Sequence, residues 1–409
     1  MKIALVELAG KGGLSHYAWQ LASAMQRRGA SVTLVTDREQ ELAALPHPFA
    51  LRPILRLWDP KPADDSTGAF ARRARRGIRA LRYYREWERA RREIRRLRPD
   101  VIQLGDIRFA TDLVPVRRLR ALAPVLADVC HNVRPFSGGE GSSGAFELSS
   151  IERSLYRRIY REFDAIFVHY HANVREFAAT FPESAGAVHR IVHGNERIFD
   201  ALASPGLGPS DLRRRIGIGP DDRVVLFFGT LSAYKGLDLL LASFRRVAAA
   251  VPEARLVLAG FPFPDFDVDA FRGEAAAAGL SDRVILIPRY VESAEVRAWI
   301  ELGEVVVFPY RSIFQSGALH LACTFGVPIV ATRVGANDEV IRDGETGLLV
   351  PPEDESELAG AIARILRDGD LARSLGAAAA RDAETRLSWD GVASTILAAY
   401  DELLGRGRT

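Results

Sequence analysis

The chain is poor in several things, and each scarcity excludes a class of protein. Among 409 residues only Cys130 and Cys323 are cysteine, far apart and outside any Cys-x-x-Cys or zinc spacing. That excludes a disulfide-stapled scaffold and a cysteine-based metal or redox centre; both read as free, buried thiols suited to a reducing cytoplasm. No apolar run reaches the ~20 residues that a membrane-crossing helix needs. The opening segment, MKIALVELAG, has a single lysine and no small-residue cleavage pattern after a long apolar stretch, so it reads as a strand and not as a secretory leader. No Gly-x-Ser-x-Gly elbow and no Walker lysine loop occurs. His169 and His171 stand two apart without a third ligand, and the other histidines form no metal set.

What is present is charge, unevenly placed. The net charge is +3, but residues 1–200 carry 33 Lys+Arg against 23 Asp+Glu, while residues 201–409 carry 22 against 29. A basic front half is expected to meet an anionic partner. Much of the excess lies in 71–98, a helix with thirteen arginines and an apolar stripe of Ile78, Leu81, Tyr84, Trp87 and Ile94. One reading packs the stripe on the domain and leaves arginine in water. The sharper reading seats the helix on anionic lipid headgroups, arginine outward and Trp and Tyr at the boundary. Nucleic acid is disfavoured, because no recognised nucleic-acid module accompanies the charge.

The hydrophobic pattern is a βα alternation told twice. KIALVEL (2–8), a glycine turn at 10–13, an amphipathic helix at 14–29 and SVTLVT (31–36) make the first βαβ unit. Residues 37–70 read as a long irregular connection. Strands at 99–105, 124–130 and 164–169 follow, with a Gly/Ser-rich loop at 131–146 predicted to be mobile. SPGLGPS (204–210) is the linker, after which the pattern restarts with RVVLFFG, TLSAYKG and a helix from 237. Two Rossmann-like domains are therefore expected, 1–200 and 201–387, facing a cleft at the carboxyl ends of both sheets. The sequence leaves open whether the last helix, 388–409, returns to the first domain.

The stretch 308–350 carries the sharpest local signal. A strand ends at Tyr310, Gln315-Ser316-Gly317 opens a helix, and Gly326-Val327-Pro328 stops it. Backbone N–H groups at such a helix start make an anion site, with phosphate the favoured anion. Three further features converge on the cleft: Gly12-Gly13, His131-Asn132 just past a strand, and Lys235-Gly236 at the first turn of the second domain. An ammonium, free amides and a helix start together make a diphosphate cradle able to stabilise charge on a departing diphosphate. Lys235 as a plain surface lysine, and His131 as a satisfied core histidine, are the bland alternatives. His16 opens the first helix and reads as mainly structural.

Taken in order, GGLSHYAWQLASAMQRRGASVTLVT, CHNVRP, FFGTLSAYKGLDLLLASF and GVPIVATRVGANDEVIRDGETGLLVPPED resemble the retaining glycosyltransferases of family 4, which have the GT-B fold. The resemblance covers nearly the whole chain. It implies that Gly12 and Gly13 let the backbone approach the donor phosphate or the acceptor, that His131 bonds the donor sugar, and that Lys235, Ser316 and Gly317 bind the diphosphate. It places the nucleobase against the backbone of Tyr290 and Val291 and gives Glu339 an ordering role in the C-terminal signature loop. It implies front-face substitution without a carboxylate nucleophile, with no cofactor and no metal. Two positions depart from the family. Thr230 stands where an arginine usually follows the glycine of the lysine segment. The usual two glutamates eight apart fall on Ile313 and Leu321, or, shifted by two, on Gln315 and Cys323. A branch of the family with Gln-Ser-Gly at this turn fits, and Gln315 then offers an amide to sugar or phosphate.

The function expected is hexose transfer from a nucleotide diphosphate sugar, with a UDP or GDP base, to a saccharide or lipid-linked acceptor. The expected place is the cytoplasm, with a peripheral seat on the inner membrane face through 71–98. Two rivals stand beside it: a GT-B sugar epimerase, which would need acid/base carboxylates that the motifs do not supply, and an inactive homologue acting as a binding or scaffold protein, suggested by Thr230 and the missing glutamate pair.

Overall fold

The computed structural model describes residues 1–56, 69–133 and 148–406, with side chains from 79 onward in the helix that begins at 69. Most of the Gly/Ser-rich loop read as mobile, 134–146, lies outside the described residues. The central strands are short, rich in β-branched residues and buried on both faces, which is the pattern of parallel sheets covered by helices. The first sheet holds β1 (Lys2–Val6), β2 (Ser31–Asp37), β3 (Ala50–Leu55), β4 (Val101–Leu104), β5 (Val125–Cys130), β6 (Ala165–His169) and β7 (Val188–Ile191), in the order β3-β2-β1-β4-β5-β6-β7. The second holds β8 (Arg223–Phe228), β9 (Ala254–Ala259), β10 (Val284–Ile287), β11 (Val305–Phe308), β12 (Ile329–Thr332) and β13 (Leu348–Val350), in the order β10-β9-β8-β11-β12-β13. All pairs in both sheets are parallel. Strand order reverses at β1/β4 and again at β8/β11. Crevices open at the carboxyl ends of strands at such reversals.

One expectation is corrected here. The connection 37–70 is not irregular throughout, because β3 lies within it and pairs with β2 from Thr33↔Ala50 to Asp37↔Leu55. Its sequence, ALRPIL, hid the strand: an edge strand tolerates a proline and presents mixed polarity.

The helix Trp389–Arg406 lies on the first sheet beside the helix Gly13–Arg27. Tyr400 donates to Gln103 Oε1 of β4 at 2.6 Å, both side chains buried. Trp389 meets Tyr17 edge-on at 4.8 Å, donates from Nε1 to the Asn195 carbonyl at 2.6 Å, and lies flat against Gly194, where any Cβ would sit 2.2 Å from the indole. The chain's end thus ties the first sheet to the segment that crosses between the sheets.

On the other face of the first sheet run the helices Ala69–Leu97, Leu113–Arg120 and Ser150–Tyr160. Trp87 and Ile94 of the basic helix are buried against the sheet. Trp87 is therefore core and not a boundary aromatic, which corrects that part of the lipid reading. Leu81, 57% exposed, stays outside; Ile78 lies outside the residues with described side chains. Among the described residues no helix is long and apolar enough to cross a membrane. Replacing Trp389 by Ala is expected to cost about 3 kcal/mol of stability, read as a lower urea midpoint with an unchanged slope.

Candidate active site in the cleft

The second domain builds its half of the site from the turn after β8. Gly236 has φ +67, and a Cβ there would sit 2.0 Å from the Pro309 carbonyl, so only glycine lets this turn press against the end of β11. That contact fixes Lys235. Its side chain is 7% exposed, with Nζ 4.0 Å from the ring centroid of Tyr310 and 4.9 Å from that of Tyr234. No carboxylate among the described residues pairs with it. Burial alone pushes its pKa down to about 7. Two aromatic faces hold the ammonium but do not neutralise it.

Tyr310 links this ammonium to the next helix. Its hydroxyl lies 3.0 Å from Ser316 Oγ, and that oxygen accepts from Leu319 N at 3.3 Å as the N-cap of the helix Gly317–Phe325. The N–H groups of Gly317 and Ala318 have no acceptor among the described residues. A Cβ on Gly317 would meet nothing closer than Glu196 Oε1 at 4.0 Å. Ammonium, tyrosine, serine and open amides follow one another at one end of β8 and β11. Thr230 lies beside the Tyr234 hydroxyl and so adds to the wall.

The first domain supplies His131, just past β5. Its ring meets Tyr17 edge-on at 4.5 Å, and Gln315 Nε2 lies 3.3 Å from His131 Nδ1 across the cleft. Burial, with a smaller push from His193, lowers its pKa to about 3, so the imidazole is neutral. With Nδ1 accepting from Gln315, the ring proton belongs on Nε2. Among the described residues His131 Nε2 and Gln315 Oε1 are buried without partners. A donor and an acceptor are thus left unsatisfied.

Gly12, at φ +81, begins the helix Gly13–Arg27. Its N–H is taken by Glu41 Oε1 at 2.6 Å, which also lies 2.8 Å from His16 Nε2; Glu41 Oε2 accepts from Ser293 Oγ of the second domain at 3.2 Å. Burial opposes ionisation of Glu41, but the bonds from His16 and Gly12 outweigh it and hold its pKa low. Both glycines have open space where a Cβ would be. Tyr290 is 51% exposed and Val291 buried, two residues before Ser293. The sequence-predicted residues therefore fall in two groups: His131, Gln315, Ser316, Gly317, Thr230 and Lys235 in one, Gly12, Gly13, Tyr290 and Val291 in the other.

Three glutamates were not found by sequence reasoning in these roles. Glu41 joins the glycine turn to the second domain. Glu196, on the crossover after β7, faces Gly317. Glu339, expected to order the signature loop, reaches out of it: its carboxylate accepts from His171 N and Ala172 N, each at 2.8 Å, and caps the helix Tyr170–Thr180 of the first domain. Only a cap signature could have been read, and the capped helix lies far off in sequence. The carboxyl ends of the first sheet also carry an acidic group. Burial raises Glu7 to about 7 and Asp106 and Asp112 to about 6, and burial beside these carboxyls raises Asp128 well above the usual carboxylate range. Among the described residues no group of three His, Cys, Asp or Glu side chains is placed to hold a metal.

Lys235 yields a stability test. Its depressed pKa penalises the folded state fully below about pH 7, and the penalty fades as pH rises toward the unfolded value near 10.4. Lys235→Met is therefore expected to raise the melting temperature most at pH 6 and least at pH 10, read by thermal melts across pH.

Comparisons with known proteins bear on both halves. Residues 11–194 match the family described as Glycosyltransferase Family 4, and residues 222–368 match Glycosyl transferases group 1. Curated relatives include D-inositol 3-phosphate glycosyltransferases of Acidothermus cellulolyticus, 35% identical over 216 residues (51% of this chain, 47% of that one), and of Mycobacterium tuberculosis, 33% identical over 228 (52% and 46%). The chain spans about half the length of the curated relatives it matches. Among solved structures, sucrose-phosphate synthase of Thermosynechococcus elongatus superposes with a TM-score of 0.71 at 21% identity over 99% of both chains. Anabaena HepE in complex with UDP and glucose gives 0.67 at 18%, over 98% of this chain and 100% of that one. A family 4 segment and a group 1 segment thus follow in order along the chain, within a two-domain fold that these solved structures share end to end.

Proposed function

We propose that the protein transfers a hexose from a nucleotide diphosphate sugar, UDP or GDP linked, to a saccharide or lipid-linked acceptor, with retention at the anomeric carbon. The observation that carries this is Lys235: a buried ammonium without a carboxylate, next to a helix start with open amides. Such a pair is completed by an anion with several oxygens. Solved structures of similar fold, HepE with UDP-glucose and starch synthase IV with ADP and acarbose, support a nucleotide-linked donor here.

In this reading the bond from the anomeric carbon to the β-phosphate oxygen breaks, and the pair of electrons leaves on the nucleoside diphosphate. Lys235 and the Gly317 and Ala318 amides stabilise that charge, so no metal is required. The acceptor oxygen bonds to the same face of the carbon, and its proton passes to the departing phosphate. Neutral His131 donates from Nε2 to a sugar hydroxyl, and Gln315 accepts. Tyr290 and Val291 flank the base. The Gln-Ser-Gly turn supplies amides where other members have carboxylates.

The acceptor is taken at the first sheet's carboxyl ends. Lipid-linked saccharide on the inner membrane face is the favoured class, supported by exposed Leu81, Phe109, Val114 and Ile151 on the arginine-rich face. Anionic liposomes are expected to float the protein at moderate salt; absence of binding ends that part of the proposal.

Thr230 and the missing glutamate pair support one other reading, an inactive binding homologue. Melting-point shifts with UDP, GDP, ADP and TDP sugars select the donor. With that donor, Lys235→Ala is expected to lower kcat/KM for its hydrolysis by about 10²–10³-fold, as for loss of one oxyanion donor. Equal rates for both proteins would favour the inactive homologue.

A further inference from the structure

Glu196 sits on the crossover between the sheets, 8% exposed. Its N–H donates to Thr324 Oγ1 at 2.9 Å, which fixes its backbone against the helix Gly317–Phe325. Its Oε2 accepts from Gln20 Nε2 at 3.2 Å, while Gln20 Oε1 accepts from Ile198 N at 3.3 Å. The second bond sets the orientation of the Gln20 amide, so Oε2 is an acceptor only. Oε1 has no hydrogen bond among the described residues. It lies 3.8 Å from His193 Nε2 and 4.0 Å from the position of a Cβ on Gly317.

We propose that Glu196 recognises the donor sugar beside its diphosphate, with Oε1 hydrogen-bonding a sugar hydroxyl at the start of the helix Gly317–Phe325. This rests on the reading of that helix start as the diphosphate site. An ionised carboxylate there would repel the diphosphate. Burial, only partly opposed by the Gln20 bond, raises its pKa to about 8, so at neutral pH the group is an acid. Since Oε2 must accept, the proton belongs on Oε1. A neutral acid at this point donates one hydrogen bond and accepts another, which suits a hydroxyl. His131 Nε2 and Gln315 Oε1 are likewise buried and without partners among the described residues. The carboxyl that the motif stretch lacks at Ile313 and Leu321 thus enters from a different segment.

The titratable groups around Glu196 are His193 on its own segment, His320 on the helix and Lys235 across the cradle. Burial lowers His193 to about 4 and His320 well below its ordinary value, so neither changes charge above pH 7. Lys235 does, and it acts more strongly on a free nucleoside diphosphate, whose terminal phosphate carries one more charge than the sugar-linked diester. Lys235 is the same in wild type and Glu196→Gln, so the difference between these two proteins in the ratio of dissociation constants isolates Glu196.

The test measures binding of UDP and UDP-glucose, or GDP and GDP-mannose if that pair binds tighter, by calorimetry to wild type, Glu196→Gln and Glu196→Leu. Gln mimics the protonated acid. The nucleoside diphosphate is expected to bind all three within about twofold at pH 7. The sugar nucleotide is expected to bind Glu196→Gln within about threefold of wild type and Glu196→Leu at least about tenfold more weakly. From pH 7 to 9 the ratio of sugar-nucleotide to diphosphate dissociation constants is expected to climb in wild type relative to Glu196→Gln. Parallel ratios in these two proteins, or Glu196→Leu with the wild-type ratio, overturn the proposal and leave the diphosphate site standing. Equal diphosphate binding by wild type and Lys235→Ala overturns both.

Discussion

A positive charge buried without a counter-charge is the constraint on which the rest of the structure depends. Lys235 is withdrawn from water, held between Tyr234 and Tyr310, and offered no carboxylate among the described residues. A fold keeps such a group only when its surroundings over-determine its position and a ligand repays the desolvation. Here the over-determination is backbone contact: the left-handed Gly236 turn against the Pro309 carbonyl leaves the preceding residue one place to go. The same strand end supplies Tyr310, whose hydroxyl reaches the cap of the next helix. One parallel sheet therefore brings together an ammonium and open amides from turns about eighty residues apart.

The two walls of the cleft are registered by a few polar contacts across it. Glu41 touches Ser293, Gln315 touches His131, and Glu339 caps a helix of the opposite domain. Phe314, beside Gln315, packs into the first domain's core, and its carbonyl accepts from Asn173. Each of these residues belongs to a segment that also borders the proposed donor site. The contacts that hold the two walls together thus come from the same segments that supply the site. The C-terminal helix adds a permanent tie: Trp389 holds the crossover segment that carries Glu196.

The βα alternation was legible because buried parallel strands are continuous apolar runs and their turns are marked by glycine. β8, β9 and β11 read directly, as did the helix start at Gly317. β3 did not, because an edge strand with Arg52 and Pro53 has no such run. Trp87 misled because a stripe on a basic helix looks the same whether it faces lipid or a sheet. Lys235, His131, Gln315, Ser316 and Gly317 could be picked out since each stands at a strand end or helix start. Glu41, Glu196 and Glu339 could not. Their positions matter through partners up to 252 residues away, and no local spacing encodes such a contact.

The central claim is that Lys235 and the Gly317 helix start hold one diphosphate. A double-mutant cycle on nucleoside diphosphate affinity tests it most directly, with Lys235→Ala and Gly317→Pro. Proline at the first helical position removes an N–H without breaking the helix, and Ser316, already extended at φ −132 and ψ 107, accepts a following proline. If both grip the same ligand, each change weakens binding and the two couple by about 1 kcal/mol or more. Independent effects that simply add, or a Gly317→Pro protein that binds like wild type, would contradict the account.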